Sequence, residues 1–493
     1  MLLLRKILFY IFAAIYIVFC PLVILYALGY IYEPGTKEGM VKTGLIYVST
    51  APTGADIYMN GSRYTQAAPA IIRDLIPGEY NIKVTLAEHA DWVRTVPVEA
   101  EKATVLDKIL LLPDKWKTEE LLKGTFKDMI PMPGNGLFLV RSGVSAGDIR
   151  VYNFRDGKDW PLLDKDAPFL EDKVTSYFTA EDSPGILLRL DSKQGEKFLW
   201  VSIKEDDNTA KDITDLFPVT PETIKWLAGQ ENDVFVFQGG TLNMLDVEKG
   251  AVYPDYVQNV RGYGLFDGQL YVLTGDNRIL KMGYDKKGEV VLLDEAALGA
   301  TIFGAKGFYE IDVLTDKFIL FRGEDGQLIS NRLPYRFAGA GVRGIEPYLQ
   351  AEEVLVWEKD KIGILDFTTE ETGNVAFEKG PSLRWVYTGG KDIEGCFWVY
   401  KGSHILFREK DRVLLTEVES YGETKPAHVC DCLDKSNVYY SENTGQLYFI
   451  GRNGNLYSLE VVPMKSIVPS QFAKKEEEKL KKEEEREKRE KGR

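Results

Sequence analysis

The chain is poor in the side chains that most often carry chemistry. Its 493 residues include only 3 His, 4 Cys and 8 Met. Four cysteines cannot build a disulfide scaffold, and so few soft or imidazole ligands leave little material for a metal centre. No Gly-x-Ser-x-Gly, His-Glu-x-x-His or phosphate-cradling glycine loop occurs. No catalytic, cofactor-binding or metal residue is therefore assigned, and no cofactor is expected. A basic excess is missing too. The net charge is −14, the reverse of what a nucleic-acid-binding face needs, so no nucleic-acid partner is expected.

Aromatic residues are plentiful instead, with 26 Tyr and 24 Phe beside 45 Gly. Many short apolar runs between glycine-rich turns lean towards β structure. The length argues for two or three domains.

Residues 7–31, ILFYIFAAIYIVFCPLVILYALGYI, carry no charge. About 20 apolar residues cross a hydrocarbon core as a helix, so this run predicts a transmembrane anchor over 1–35. Pro21 sits mid-span, where a kinked membrane helix tolerates it. Tyr26, Tyr30 and Tyr32 gather at the outer end, as interfacial aromatics do. A cleaved signal peptide is the alternative, but its apolar core would be about 7–15 residues with a small-residue cleavage site. Ala27-Leu28-Gly29 is a poor match, and Ile17-Val18-Phe19 before Cys20 is too bulky for a lipidation signal. Arg5 and Lys6 favour a cytoplasmic N-terminus, although Lys37 and Lys42 oppose that bias. The expectation is a single-pass cell-membrane protein with the bulk of the chain extracytoplasmic.

Residues 43–112 predict a small β domain. Leu45, Tyr47 and Ser49 alternate with Ile46, Val48 and Thr50, the period of a strand. Asn60-Gly61 between apolar runs predicts a type I′ hairpin, since both residues tolerate φ > 0. Leu75-Ile76-Pro77-Gly78-Glu79-Tyr80 makes a second turn, leading into the alternating strand Asn81–Leu86. Pro52-x-Gly54-Ala55, Tyr58-Met59-Asn60-Gly61, Pro69, Leu75-x-Pro77-Gly78-x-Tyr80 and Trp92, in this order, resemble a PEGA domain. That family is a small β-sandwich-like module found mostly in bacterial and archaeal surface proteins. The resemblance implies an extracytoplasmic, non-catalytic interaction module and names no ligand. One departure is visible: Glu88-His89-Ala90-Asp91 stands where the family usually has Gly-Tyr before the aromatic.

From about residue 120 a strand–turn–strand unit recurs. Copies begin near Gly136, Gly185, Asp233, Gln269, Lys317, Glu353, Cys396 and Gln446. A propeller blade takes about 40–50 residues, so the spacing predicts a β-propeller of seven or eight blades over 120–465. Two stacked β-sandwiches are the alternative. Repeated Trp-Asp endings, Asp boxes and Trp-docking patterns are missing, so no propeller family is named.

The end of the chain, 473–493, is a Lys/Glu-rich tail. Glu477–Lys481, Glu478–Lys482, Glu484–Lys488 and Glu485–Arg489 are i,i+4 pairs in the favourable order, and Leu480 alone makes no coiled-coil seam. A charged helical or disordered tail is expected.

A few residues invite a chemical reading. On a regular strand His428, Cys430 and Cys432 would share a face, but three ligands on one strand chelate poorly. Cys396, Cys430 and Cys432 leave open whether one disulfide forms. Asp206-Asp207, Glu352-Glu353 and Glu370-Glu371 read as solvated loop charges. Gly262-Tyr263-Gly264 falls in a strand-rich repeat, and His89 and His404 read as structural. Phe397-Trp398, Trp357 and Tyr439-Tyr440 read first as core and second as ligand contacts. The expected protein is mainly β and non-enzymatic. It is an envelope protein held by its N-terminal transmembrane helix, whose propeller binds protein or glycan. A propeller-based polysaccharide hydrolase or lyase and a structural subunit of an envelope complex are the alternatives.

Overall fold

The computed structural model describes residues 2–27, 29–32, 39–179, 184–204, 208–217, 219–227, 232–299, 301–304, 307–368, 380–418 and 426–464. The charged tail, Asp206-Asp207, Glu370-Glu371, Lys37 and the side chains of Arg5 and Lys6 lie outside what is described. The chain divides into two compact units. The first runs to Lys117, and the second takes Thr118–Val418 and Pro426–Leu459.

The first unit opens with a helix over Leu2–Ala27 containing Pro21. Its Phe9–Tyr26 stretch has a mean hydropathy of 2.4 and buries none of its residues. Among the described residues it is the one helix long and apolar enough to cross a membrane. Gly29 ends it with φ +81° and a hydrogen bond from its N–H to the Tyr26 carbonyl. A glycine adopts that left-handed turn without Cβ strain.

The small β domain follows. One sheet places Gly44–Ala51 between Ala70–Leu75 and Ala103–Leu110, the latter parallel to it. The other orders Ser62–Arg63, Asp56–Met59, Gly78–Thr85 and Trp92–Val98. Alternation decides which residues fill the core. Ile46, Val48 and Thr50 are buried, and Leu45, Tyr47 and Ser49 are half-buried. Ile57, Ile82, Val84, Val96 and Trp92 complete the packing from the facing sheet. Full burial of an aliphatic side chain stabilises by roughly 1.5–3 kcal/mol. The Asn60-Gly61 hairpin has φ +48° and +83°, as a type I′ turn requires, and pairs Met59 with Ser62. Asn60 also accepts the Asn81 N–H through its side chain at 2.9 Å.

In the second unit, eight four-stranded antiparallel sheets follow one another. The inner strands of blades 1 to 8 are Asp128–Met132, Lys173–Thr179, Thr223–Trp226, Val260–Phe266, Tyr309–Val313, Gly344–Tyr348, Ile393–Val399 and Val438–Ser441. Blades 1 to 7 are consecutive meanders. Blade 8 takes its outer strand, Thr118–Leu122, from the start of the unit and pairs it with Leu456–Glu460. This closure removes the open edge that a linear array would leave.

Packing between blades is what makes the sheets a ring. Each of seven apolar clusters draws on two neighbouring blades. Ile130 and Leu139 of blade 1 pack with Ile186 and Leu188 of blade 2. The pattern continues through blades 2 and 3, 3 and 4, 4 and 5, 5 and 6 and 6 and 7. Tyr448 and Ile450 of blade 8 meet Phe138 and Val140 of blade 1. At the joint of blades 7 and 8, Arg452 reaches Asp411 at 2.6 Å and Asp431 at 3.2 Å. The architecture is therefore an eight-bladed β-propeller, at the upper of the two expected counts, and stacked sandwiches are ruled out.

The repeat seen in the sequence is the middle of each blade. Gly136–Val140, Asp233–Phe237 and Gln446–Ile450, for example, fall on second strands, and the strands that follow them are third strands. These are buried on both faces and so form continuous apolar runs. Blade 7 is a correction. Cys396–Tyr400 lies on its inner strand and the turn after it, and the true second strand is His404–Glu409. That inner strand is apolar enough to imitate a middle strand.

Candidate functional site

Inner strands are where a propeller exposes polar groups, and here three of them carry the same device. Asp128, Glu310 and Glu394 each stand opposite an arginine of the second strand: Arg141, Arg322 and Arg408. Paired residues of antiparallel strands share a face, and each couple forms an ion pair, at 3.6 Å for Asp128–Arg141. The arginines close apolar triplets: Leu139-Val140-Arg141, Leu320-Phe321-Arg322 and Leu406-Phe407-Arg408. Arg189 closes a fourth such run and pairs with Glu196 instead. This recurring apolar-apolar-Arg ending was the blade signature available in the sequence.

Blade 6 breaks the pattern: Gly344 and Trp357 occupy the acid and arginine positions. Glu346, two residues further on, stands opposite Leu355, as Asp312 stands opposite Leu320 in blade 5. Burial, with the like charge of Glu442 adding to it, pushes the Glu346 carboxyl up to about 7. Its backbone oxygen accepts the Trp398 indole N–H at 3.0 Å. Tyr348 lies against Trp398 with ring centroids 5.4 Å apart.

Gly262-Tyr263-Gly264 proves to be a close contact between blades. A Cβ on Gly262 would lie 2.3 Å from the Tyr309 carbonyl oxygen, and one on Gly264 would lie 2.8 Å from that of Ile311. The glycines let the inner strand of blade 4 press against that of blade 5. Lys225 of blade 3 consequently reaches across both, donating to the Tyr263 carbonyl at 3.2 Å and the Ile311 carbonyl at 3.5 Å. Tyr263 is fully buried. Burial drives its phenol well above the ordinary range, so it stays neutral, accepting from Thr223 at 3.1 Å and donating to the Phe235 carbonyl at 3.3 Å.

A cavity of about 410 Å³ opens beside this contact. Phe178 of blade 2, Glu222, Thr223 and Lys225 at the inner edge of blade 3, Phe308, Glu310, Arg322 and Glu324 of blade 5, and Val342 before blade 6 line it. Blades 3 and 5 are not neighbours, so only the axial region can bring them to one cavity. Glu222 accepts the Gly239 N–H at 2.8 Å and Glu324 the Phe308 N–H at 3.2 Å. Deeper along the same strand, Asp312 keeps one buried oxygen without a hydrogen bond among the described residues. Burial, first, raises its carboxyl, while Lys225 acts in the opposite sense.

The other sequence candidates are dispersed. A bulge in the outer strand of blade 7 leaves His428 exposed, 3.0 Å from Asp431, while Cys430 and Cys432 are buried. The face-sharing expected of a regular strand is thereby corrected. All four cysteines are free. Cys396 is on the inner strand of its blade and Cys430 on the outer. Three strand spacings of about 4.8 Å separate them, beyond the reach of a disulfide. Burial raises the thiols of Cys396 and Cys430 far out of the reactive range, and that of Cys432 to about 11. Among the described residues no three His, Cys, Asp or Glu side chains gather as a metal site. His404 is buried with Nδ1 2.8 Å from Ser403. Half-buried His89 places Nδ1 2.8 Å from the Ala87 carbonyl. Glu352 occupies a left-handed turn at φ +53°, and Glu353 begins a strand. Trp398 and Tyr440 are buried, while Phe397, Trp357 and Tyr439 are half-buried.

With this geometry in hand, the small domain can be placed. Residues 43–111 match the PEGA domain family. The PEGA module therefore carries the departure noted above at a tight turn, where Glu88 holds φ +61°, a conformation that suits the glycine usual there. No curated protein matches the chain. Among solved structures, it is similar to the β-propeller domain of Cps50 (Swd1) from Myceliophteria thermophila. The identity is 9% over 70% of this chain and 99% of that one, with a TM-score of 0.37. It is similar to the computationally designed Ika8 protein at 12% identity, covering 69% and 99% of the two chains, with a TM-score of 0.41. It is also similar to PorZ, an essential bacterial surface component of the type-IX secretion system of Porphyromonas gingivalis. There the identity is 13% over 67% of this chain and 42% of that chain, and the TM-score is 0.33. At such identities the likeness concerns fold alone, and the blade count rests on the sheet topology.

Proposed function

We propose that this is a non-enzymatic, membrane-anchored envelope protein whose propeller binds a protein or glycan partner at its axial cavity. The observation that carries the reading is the cavity itself: a walled space of about 410 Å³ assembled from non-neighbouring blades. Three of its charges are already held, Glu310 with Arg322 and Lys225 by two backbone carbonyls. Groups held this way position a ligand better than they transfer protons. The anchor is supported by the helix. Phe9, Tyr16 and Ile17 are 68–70% exposed, and an apolar face left uncovered in water would be unfavourable. The PEGA module supports an extracytoplasmic placement with the N-terminus in the cytoplasm. Protease added to intact cells tests the topology: the propeller should be cut without breaking the membrane, and protection until lysis would refute it. Recovery of a stoichiometric partner from detergent-solubilised membranes tests the binding role.

One observation favours a second reading, a polysaccharide hydrolase or lyase. Glu346, with its carboxyl near 7 and Tyr348 and Trp398 beside it, has the proton affinity of a general acid. Release of reducing ends from polysaccharide, lost in Glu346→Gln, would establish that reading in place of the first.

A further inference from the structure

The axial cavity has a chemical character that narrows the ligand. Both signs of charge line it: carboxylates from Glu222, Glu310 and Glu324, and cations from Lys225 and Arg322. A cationic ligand would meet the two cations at close range, and an anionic one the three carboxylates. Unused hydrogen-bonding capacity is likewise of both kinds. The Arg322 side chain, 23% exposed, gives one terminal nitrogen to the Arg343 carbonyl at 2.9 Å and the other to Glu310, and each of these nitrogens carries a second N–H. Glu222 and Glu324 each accept one backbone N–H through a single oxygen, and their second oxygens have no hydrogen bond among the described residues. A hydroxyl is the neutral group that can satisfy both, because it donates and accepts at one atom.

The walls add an apolar component. Phe178 and Phe308 line the cavity and are half-buried. Phe308 is braced by Phe237, with ring centroids 4.7 Å apart. A ring held this way offers a fixed face to the C–H groups of a ligand. The volume of about 410 Å³ lies within the roughly 300–1,000 Å³ range of small-ligand sites. We infer that the cavity is a subsite for a neutral, hydroxyl-rich ligand, the sugar units of a glycan. The inference rests on the binding role proposed above and selects glycan over a charged peptide side chain.

The test uses the full chain in detergent micelles, titrated calorimetrically with neutral gluco-, galacto- and manno-oligosaccharides of two to four units. Chitosan oligomers, oligogalacturonates and an arginine-rich peptide serve as charged arms. Saturable binding of a neutral oligosaccharide is expected, with affinity lowered at least about tenfold in Phe308→Ala and in the double variant Glu222→Ala/Glu324→Ala. Both glutamates are exposed, so the double variant should melt with the parent chain, which separates lost binding from lost folding. Binding only in a charged arm, no binding of any neutral saccharide, or neutral binding unchanged in both variants would overturn the inference. If a partner protein is still recovered from membranes in those cases, the binding role stands and only the glycan assignment fails.

Discussion

Blades 3 to 5 and blades 6 to 8 build the same layer of the ring in different ways. In the first group, glycines replace side chains between inner strands, and Lys225 ties three blades through backbone carbonyls. Glu310 has Arg322 opposite it, and a cavity remains open. In the second, Tyr348, Trp398 and Cys396 fill the space, Trp357 stands where blade 5 has Arg322, and Glu346 faces Leu355 as Asp312 faces Leu320 in blade 5. A carboxylate with its own cation stays ionised at little cost, whereas one among apolar neighbours is driven towards its neutral form. Position along the inner strand thus decides which acid has an arginine opposite it: Glu310 does, whereas Glu346 and Asp312 face leucines and have carboxyls raised by burial.

The largest test of this contrast is Gly262→Val. Its side chain would enter a space where even a Cβ meets the Tyr309 oxygen at 2.3 Å. A loss of about 3 kcal/mol is expected in denaturant unfolding, and a melting curve matching the parent chain would contradict the close-packed joint. Next comes Arg408→Ala. Arg408 is 4% exposed and holds Glu394 and the Lys410 carbonyl, so its loss should cost on the order of 2–3 kcal/mol. The same change at Arg141, whose side chain is 25% exposed, should cost about 1 kcal/mol or less. Equal losses would mean that burial does not set the strength of these pairs.

Glu346 gives the contrast a pH signature. Its folded pKa of about 7 lies above the ordinary 4.5, so between these values the native chain holds a proton that the unfolded chain has released. This group's contribution to stability therefore falls as pH rises from about 4.5 to about 7. Glu346→Gln should remove that part of the pH dependence and raise stability at pH 8 by on the order of 2 kcal/mol. Unfolding curves at both ends of the window are the measurement, and an unchanged slope would count against it. The smallest effect is expected from reductant. With Cys396, Cys430 and Cys432 all free thiols, dithiothreitol should leave Tm where it is, and a fall in Tm would reveal a disulfide.

Much of the fold was legible because its strongest signals are local. Asn60-Gly61 forms its hairpin from the backbone freedom of two residues. The second and third strands of the blades announce themselves because both faces are buried. The inner strands were harder to read: Asp128–Met132 and Thr223–Trp226 mix charged and apolar residues, so their periodicity is weak. Phase in blade 7 was lost for the opposite reason, since Cys396–Tyr400 on the inner side is as apolar as a middle strand. The candidate site was not legible. Glu310 and Lys225 are 85 positions apart and look like ordinary surface charges, although the arginines ending apolar runs were a signal that could have been followed.

By itself, then, the sequence determined a long apolar N-terminal helix, a PEGA module and a ring of about eight repeats. Each depends on hydrophobic patterning or turn chemistry within a few residues. Tertiary structure alone decided that Thr118–Leu122 closes blade 8. It also decided that Gly262 and Gly264 serve a contact between blades, and that Glu346 stands opposite a leucine. Those facts depend on which strands become neighbours, and neighbours in a closed ring are set by the cooperative packing of all eight blades.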